Sequence, residues 1–491
     1  MSEVSKDWQM CSKVEGQDRQ DHLELSELES TPETCHLPPR HRIAHPRLCV
    51  QKYRRSAAGG GASVQLYANV PPRSLSDLHV TICHLLCTLV ATQRPSSDYR
   101  IQYSLADVVN FVDDRIRAIQ VEYITHYMSH LLQASALNSA SEKARYTKSL
   151  ALAIDIQVRC IRHSIFSQYL LRGAPKANAH GKFELKFNVS ALRTALTHGV
   201  DLLKKYIMNC NKDFDSYIST LDEIMSYSAL MHLCGVIMST RTENESFASC
   251  IPWLILDSGT GFSAIEAMWN DLPVQCRRKG AFPKWNRVLD LVAEYCLGNY
   301  IKILKMLSGN NMTSNSEIES LERVSTKSLI SSDVSNELTS ALENLKLDCT
   351  ANQSPLSVID LDNLSEHPDA RWHILQRCCM LPCVPVIRLL MLHHYNKAWM
   401  KNEWVTASDL SDLLIMENAL CFAQLAGLPT SEMTKVQFKA TSISSNITAN
   451  DLNCKSREDS FVFGMVPPKS WRVDQDNVLV PSEHLFCRMF R

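Results

Sequence analysis

The chain has 491 residues, of which 45% are hydrophobic and 21% are charged, and its formal net charge is −1. This composition is typical of a globular protein rather than a disordered or fibrous one, and the balanced charge excludes a global attraction to nucleic acid or membranes. A single core rarely exceeds roughly 250 to 300 residues, so we expect two or more domains. The first ten residues lack a signal-peptide core, and no stretch approaches the roughly 18 apolar residues of a membrane helix. We therefore expect a cytosolic or nuclear chain without a membrane partner.

Residues 1–45 are polar and contain closely spaced acids at Glu24, Glu27, Glu29 and Glu33. Such a composition predicts a loosely ordered N-terminal arm with one short helix.

The charge then reverses, because residues 35–76 contain no Asp or Glu. The basic residues of this stretch are Arg40, Arg42, Arg47, Lys52, Arg54, Arg55 and Arg73. Arginine forks suit phosphate, which makes Lys52, Arg54 and Arg55 candidates for binding nucleic acid or a partner. The alternative, which we favour, is that they pair with acidic helix faces such as Asp113 and Asp114.

Residues 46–307 are predicted to form the basic box and a helical-repeat domain, because apolar residues recur there at i, i+3, i+4 and i+7. The predicted helices cover residues 105–123, 154–169, 192–207, 227–238 and 285–307. Gly298 interrupts the last of them, where we expect a turn between two helices. The pattern predicts a mainly α fold of stacked, TPR-like helix pairs without a fixed repeat length.

Arg115 and Arg117 lie beside the apolar stripe of the predicted helix at 105–123. A buried arginine without a partner is costly, so we expect Arg115 to bond to carboxylates or loop carbonyls and to act structurally.

Residues 308–369 are rich in Ser, Asn and Glu and are predicted to be a flexible insertion. Residues 370–491 are assigned to the last repeat helices, a winged helix and a tail. The predicted elements are a helix at 386–399, a short helix capped by Thr406 or Ser408, a helix at 417–426 ended by Gly427, and strands at 436–440 and 461–465. This order of elements is typical of a winged helix.

Four basic residues of this C-terminal module are candidates for a nucleic-acid surface: Arg388, Lys397, Lys435 and Lys439. Protein pairing through exposed strands is the alternative that we favour.

Residues Cys35, His36, His41, His45 and Cys49 have a spacing that could suit zinc. They lack a C-x2-C pair, and prolines interrupt them, so we interpret them as histidines of an exposed basic arm. The glycine-rich residues 257–261 lack the lysine of a phosphate loop, and Cys378, Cys379 and Cys383 have no evident base. We therefore expect no metal, no cofactor and no enzymatic activity.

Three short sequences lie in a recognisable order: VQKYRRSAAG at 50–59, VNFVDDRIRAI at 109–119 and GNY at 298–300. They resemble the Sac-three/GANP family, which carries a basic Y-x-R-S-A-A-G box and an F-V-x-D-R-x-R-A-I helix ahead of a PCI domain. Met10 and Cys11 resemble the start of its M-C-P signature, although Ser12 replaces the proline. The resemblance covers about residues 45–307 and 370–428.

This resemblance implies a non-enzymatic, PCI-type scaffold of a nuclear complex that couples transcription to mRNA export. The implied partners are a second PCI-domain protein and a small acidic subunit, with RNA as a further candidate ligand. Short family members imply an alternative role in centrosome duplication and spindle progression without nucleic-acid binding. We accordingly expect the protein in the nucleus, with the cytoplasm or the centrosome as alternatives.

Overall fold

The computed structural model describes most of residues 7–308 and shorter parts of the C-terminal region. The described ranges are 7–53, 71–133, 139–171, 185–209, 214–239, 241–242, 245–246, 261–277, 282–308, 374–380, 383–398, 404–414, 430–431, 435–437, 471–473 and 479–481, with the single positions 419, 423 and 428. Arg54, Arg55, Lys439 and most of the predicted insertion at 308–369 lie outside them, so the domain boundaries stay predictions.

The described part of the chain is mainly helical, as predicted. Its α-helices are α1 (Lys13–Asp21), α2 (Leu75–Cys83), α3 (Leu105–Tyr123), α4 (Ser129–Gln133), α5 (Ala140–Leu171), α6 (Leu185–Asn209), α7 (Phe214–Ser239), α8 (Gly261–Asn270), α9 (Pro283–Cys296), α10 (Tyr300–Ser308), α11 (Ile374–Met380), α12 (Val384–Ala398) and α13 (Ala407–Leu414). A π-helical segment, His84–Val90, extends α2, and another, Ile124–Met128, joins α3 to α4. Within these described ranges, every helix is too short or too polar to span a lipid bilayer.

The described strands are short. They are β1 (Arg241–Thr242), β2 (Glu245–Ser246), β3 (Trp404–Thr406), β4 (Thr430–Ser431), β5 (Lys435–Gln437), β6 (Trp471–Val473) and β7 (Leu479–Pro481). β1 pairs with β2, β6 pairs with β7, and β3, β5 and β4 form an antiparallel sheet in that order.

Side-chain caps fix the starts of α2 and α3. The Ser74 hydroxyl accepts a hydrogen bond from the Asp77 amide at 3.1 Å, and the Asp77 carboxylate accepts one from the Ser74 amide at 3.2 Å. At α3, the Ser104 hydroxyl accepts from the Asp107 amide at 3.2 Å. These bonds satisfy amides that would otherwise lack intrahelical partners, and the acidic residues favour the positive helix end.

Consecutive helices pack on one another through the central part of the fold, with α6 between α5 and α7. Gly199 allows this approach, because a Cβ there would lie 3.2 Å from Ile161 of α5 and 3.4 Å from Ile224 of α7. The rings of Tyr206 and Tyr217 stack between α6 and α7 with centroids 3.8 Å apart. The packing agrees with the predicted stacking of helices around a shared apolar core.

A buried carboxylate of α7 orients the next helix pair. The two carboxylate oxygens of Asp222 accept hydrogen bonds from the Lys284 amide at 2.9 Å and the Trp285 amide at 2.8 Å, at the start of α9. Burial raises the pKa of Asp222 to about 6. Gly298 has φ of +69° between α9 and α10, which confirms the predicted turn between two helices.

The prediction of a loosely ordered N-terminal arm is wrong for residues 7–45. This segment contains α1 and two 3-10 turns, Glu27–Glu29 and Pro39–His41, and its Met10 and Leu28 belong to the main apolar core. The Trp8 amide donates to the Pro46 carbonyl at 2.7 Å, so the segment folds back on itself. Its closely spaced acidic residues suggested disorder, but several of them bind arginines inside the fold.

The C-terminal helices dock on the repeat helices. α11 packs against α7 and α5, and α12 packs against α10. The predicted cap is confirmed, because the Thr406 hydroxyl accepts from the Asp409 amide at 3.1 Å at the start of α13. The predicted strand at 436–440 overlaps β5 at residues 436–437, and β5 pairs with β3 and β4; residues 438–440 and the predicted partner strand at 461–465 lie outside the described residues.

Candidate interaction surface

A buried carboxylate joins the N-terminal segment to α3. Glu29 is 0% exposed, and its carboxylate accepts from the Arg115 guanidinium at 2.9 and 3.2 Å. It also accepts from Arg19 of α1 and, at 3.0 Å, from the Val50 amide. The third Arg115 nitrogen, Nη1, donates to the Asp114 carboxylate. The expectation that Arg115 bonds to carboxylates in a structural role is confirmed.

The electrostatics of this group, which we call the Glu29 network, follow from its two arginines. Burial alone would raise the pKa of Glu29, but the charges of Arg115 and Arg19 outweigh it and hold the pKa at about 2. Arg19 also donates to the Val50 carbonyl at 2.8 Å, next to the basic box. The network therefore fixes the chain at the point where the basic box begins.

Several residues of the basic stretch already have acidic partners within the chain. Among the described residues of this stretch, four form ion pairs: Arg42 with Glu27 at 2.7 Å, Arg47 with Asp7 at 2.8 Å, Lys52 with Glu24 at 3.3 Å, and Arg73 with Glu122 at 2.7 Å. The pair formed by Lys52 is half-exposed, so its contribution to stability is small. Lys52 thus pairs with Glu24 rather than with Asp113 or Asp114, while Arg54 and Arg55 lie outside the described residues and stay candidates.

Both sides of the undescribed segment 54–70 are attached to α3. On one side, the Tyr53 amide donates to the Asp114 carboxylate at 3.3 Å. On the other, Arg73 donates to Glu122 at 2.7 and 2.9 Å and to the Met10 carbonyl at 2.9 Å. The residues on both sides of the segment that carries Arg54 and Arg55 are thus hydrogen-bonded to the same helix, α3.

A pocket of about 220 Å³ opens beside Tyr53, between α3, α5 and α6. The Arg117 guanidinium lies 5.2 Å from the centroid of the Tyr53 ring, a cation–π geometry. The remaining polar lining comes from the side chains of Gln120, Gln157, Ser190, Thr194 and His198. Burial lowers the pKa of His198, so its imidazole is neutral near pH 7. The pocket combines one cation, one aromatic ring and several neutral hydrogen-bonding groups.

The C-terminal candidates are distributed differently from the prediction. Arg388 is 1% exposed, and its guanidinium donates to the Leu414 carbonyl at 2.8 Å, so it joins α12 to α13. Arg388, a candidate for a nucleic-acid or partner surface, is therefore not on an exposed surface. Lys435 is exposed on β5, Lys397 lies in the last turn of α12, and Lys439 lies outside the described residues. Trp404 on β3 is 44% exposed, an apolar surface that the basic residues did not indicate.

The profile of the SAC3/GANP family matches residues 10–254, about half of the chain. The chain belongs to the SAC3/GANP family. Neither a curated protein nor a solved structure gives a significant match. The matched region of this SAC3/GANP chain contains the Glu29 network, the pocket beside Tyr53 and helices α1–α7. The family is of the scaffold type.

The cysteines and histidines considered as a zinc site do not lie in one place in this SAC3/GANP chain. Cys35 packs with Leu48 and Tyr99, whereas Cys49 packs in another apolar cluster with Cys11 and Leu25. Across the described ranges, no group of three or more His, Cys, Asp or Glu residues is arranged to hold a metal. Both thiols act there as small apolar side chains.

Sequence reasoning missed the pocket residues of this SAC3/GANP chain because they come from three helices. Gln120 and Gln157 each lie between apolar residues in the sequence, and no local spacing connects them to His198. The Glu29 network had a local signal only in Arg115, whose position beside the stripe of α3 predicted a buried partner.

Proposed function

We propose that this chain is a non-enzymatic scaffold of a nuclear complex that couples transcription to mRNA export. In this proposal its C-terminal module pairs with a second PCI-domain protein, a small acidic subunit joins the pair, and RNA is a secondary ligand. The observation that carries the proposal is the match of residues 10–254 to the SAC3/GANP family. The helical packing supports it, because stacked helices present extended surfaces for partners.

The order of elements after residue 383 supports a winged-helix, PCI-type module. Helix α12 is followed by β3, α13, buried helical positions at Ala419 and Ala423, and then β4 and β5. The last strand, β5, returns to pair with both β3 and β4. A helical unit closed by a small antiparallel sheet is the arrangement that a winged helix requires.

The exposed face of β3 favours protein pairing over RNA binding. In the described three-stranded sheet β3 is an edge strand, and it carries the half-exposed ring of Trp404. Edge strands with exposed apolar groups are suited to pair with another chain. Arg388 adds no charge to an exposed surface, because it is buried and its guanidinium donates to the Leu414 carbonyl.

The test compares Trp404→Ala with wild type by affinity purification from cells and mass spectrometry. We expect wild type to recover a second PCI-domain protein. The amount recovered with the variant should be at least about tenfold lower, because aromatic anchors dominate interface energies. Val274→Ala, which truncates an 81% exposed side chain in the turn after α8, is the matched control and should bind normally.

Three results would argue against this proposal. Wild type could recover no PCI subunit, or Val274→Ala could lose it as much as Trp404→Ala does. Recovery of centriolar proteins alone would favour the role in centrosome duplication and spindle progression. Crosslinking to RNA in the same cells measures the secondary ligand independently.

A further inference from the structure

Two helices place two thiols, an imidazole, a carboxylate and a guanidinium together at a site outside the basic box. His79, Cys83 and Cys87 follow one another at four-residue intervals along α2 and its π-helical extension, so they share a face. Asp155 and Arg159 have the same spacing on α5, and α2 packs against α5. The two rows of side chains therefore meet between the helices.

The contacts connect all five groups. The His79 Nε2 lies 2.6 Å from a carboxylate oxygen of Asp155, and the same oxygen accepts from the Arg159 Nε at 2.6 Å. The Cys83 Sγ lies 3.8 Å from the His79 Nε2, and an Arg159 Nη lies 3.5 Å from the Cys87 Sγ. Asp155 thus holds two cations in place, and each cation contacts one thiol.

These charges set the protonation of the imidazole and the thiol. Burial alone would lower the pKa of His79, but its hydrogen bond to Asp155 and the neighbouring Cys83 raise that pKa to about 9. Burial would likewise raise the pKa of Cys83, but Arg159 and His79 outweigh it and lower that pKa. The charges of Arg159 and of the His79 imidazolium therefore favour the thiolate form of Cys83.

We propose that Cys83 is a modification site whose thiolate, held by His79 and the Asp155–Arg159 pair, reacts with small hydroperoxides. Cys83 and Cys87 are partly exposed, so a molecule as small as hydrogen peroxide can reach them. The Cys83 sulfur attacks one peroxide oxygen, an S–O bond forms as the O–O bond breaks, and hydroxide leaves. The hydroxide takes a proton from His79 and departs as water. The sulfur is oxidised to a sulfenic acid, the peroxide is reduced, and His79 regains its proton from solvent.

The chain contains its own reference thiols. Cys296 is exposed at the C-terminal end of α9. Its labelling rate therefore reports the reactivity of an accessible thiol that lacks the charged neighbours of Cys83. Cys160 is completely buried, and burial raises its pKa, so it reacts only if the helices open. Comparing the three within one sample separates activation from exposure and from unfolding.

The experiment treats the purified full chain with hydrogen peroxide and dimedone at pH 7 and quantifies labelled peptides by mass spectrometry. We expect Cys83 to be labelled about tenfold faster than Cys296, with Cys160 unlabelled, because thiolate fraction and not exposure sets the rate. His79→Gln should slow Cys83 by a similar factor and leave Cys296 unchanged. His126→Gln, which removes an exposed histidine, is the matched control and should react like wild type.

Cys83 labelling no faster than that of Cys296 in wild type would overturn the proposal, whatever the variants do. Unchanged Cys83 labelling in a folded His79→Gln protein would overturn it too. If His79→Gln unfolds, Cys160 becomes labelled, and the wild-type comparison of Cys83 with Cys296 still decides. Cys87→Ser should retain fast labelling at Cys83, which assigns the reaction to one thiol.

Discussion

The two ends of the described fold dock on the central helices by different physical means. The N-terminal segment is held by the Glu29 network, in which Arg19 and Arg115 bind one buried carboxylate. The contacts of the C-terminal α11 include two neutral hydrogen bonds: the Gln376 amide donates to the Ser226 hydroxyl at 3.0 Å, and the Cys234 thiol donates to the Cys379 carbonyl at 3.3 Å.

This difference predicts where each junction is vulnerable. A buried ion pair adds little net stability when intact, yet removing one partner leaves a buried charge without compensation. A neutral hydrogen bond in an apolar junction loses less, because no charge remains. The N-terminal junction should therefore respond more strongly to acid and to the loss of a carboxylate than the two neutral hydrogen bonds of the C-terminal junction do.

The largest effect is expected for Glu29→Gln. Losing its charge leaves Arg19 and Arg115 buried without a carboxylate between them, which costs roughly 3 to 5 kcal/mol of unfolding free energy. Urea denaturation measures the loss, and proteolysis should cleave within residues 7–53 first. Glu27→Gln is the control, because Glu27 is half-exposed and pairs with Arg42 alone. Equal losses for the two variants would show that burial of the carboxylate is not what matters.

Acid should separate the two junctions next. The folded pKa of Glu29 is depressed from 4.5 to about 2, so its stabilisation is present above pH 4.5 and is lost as the pH falls through 2. The full difference is about 3 kcal/mol. Hydrogen exchange at pH 5 and at pH 2.5 should show amides of 7–53 losing protection before those of 374–398. Earlier loss of protection in 374–398 would contradict the comparison.

The sequence predicted the parts of the fold whose signals are local. The apolar stripe of α3, the glycine turn after α9 and the Thr406 cap each depend on residues within a few positions of one another. The ordered N-terminal segment depends on Glu29 meeting Arg115, which lies 86 residues away, and no local pattern records that pairing. The surface position expected for Arg388 was wrong for the opposite reason. A charged side chain suggests a surface position, but the Leu414 carbonyl of α13 accepts its hydrogen bond and allows it to be buried.

The candidate surface follows the same rule. Lys52 and Tyr53 belong to a motif that the sequence displays, and their environment agrees with the proposed anchoring of the basic box. The partner atoms on α3, α5 and α6 are brought together by helix packing alone. The sequence motif therefore predicted where the candidate surface lies. Which of its charged side chains remain accessible depends on how α3, α5 and α6 pack.

The smallest effect is expected for Gln376→Leu at the C-terminal junction. The variant removes one buried hydrogen bond to Ser226 and keeps an apolar side chain in the site, so it should cost about 1 kcal/mol. Ser226 retains its bond to the Glu223 carbonyl at 2.7 Å, which limits the loss.

A double-mutant cycle of Gln376→Leu with Ser226→Ala isolates this bond, since both residues make it and neither titrates. The coupling should be the same at pH 7 and pH 3. Over the same interval the cost of Glu29→Gln should shrink by about 2 kcal/mol, because the unfolded Glu29 carboxyl becomes protonated while the folded one stays ionised. A coupling energy between Gln376 and Ser226 that changes with pH would show that titrating groups act at the C-terminal junction, and the distinction between the two ends would be lost. A constant coupling energy would leave the buried carboxylate as the property that distinguishes the N-terminal segment.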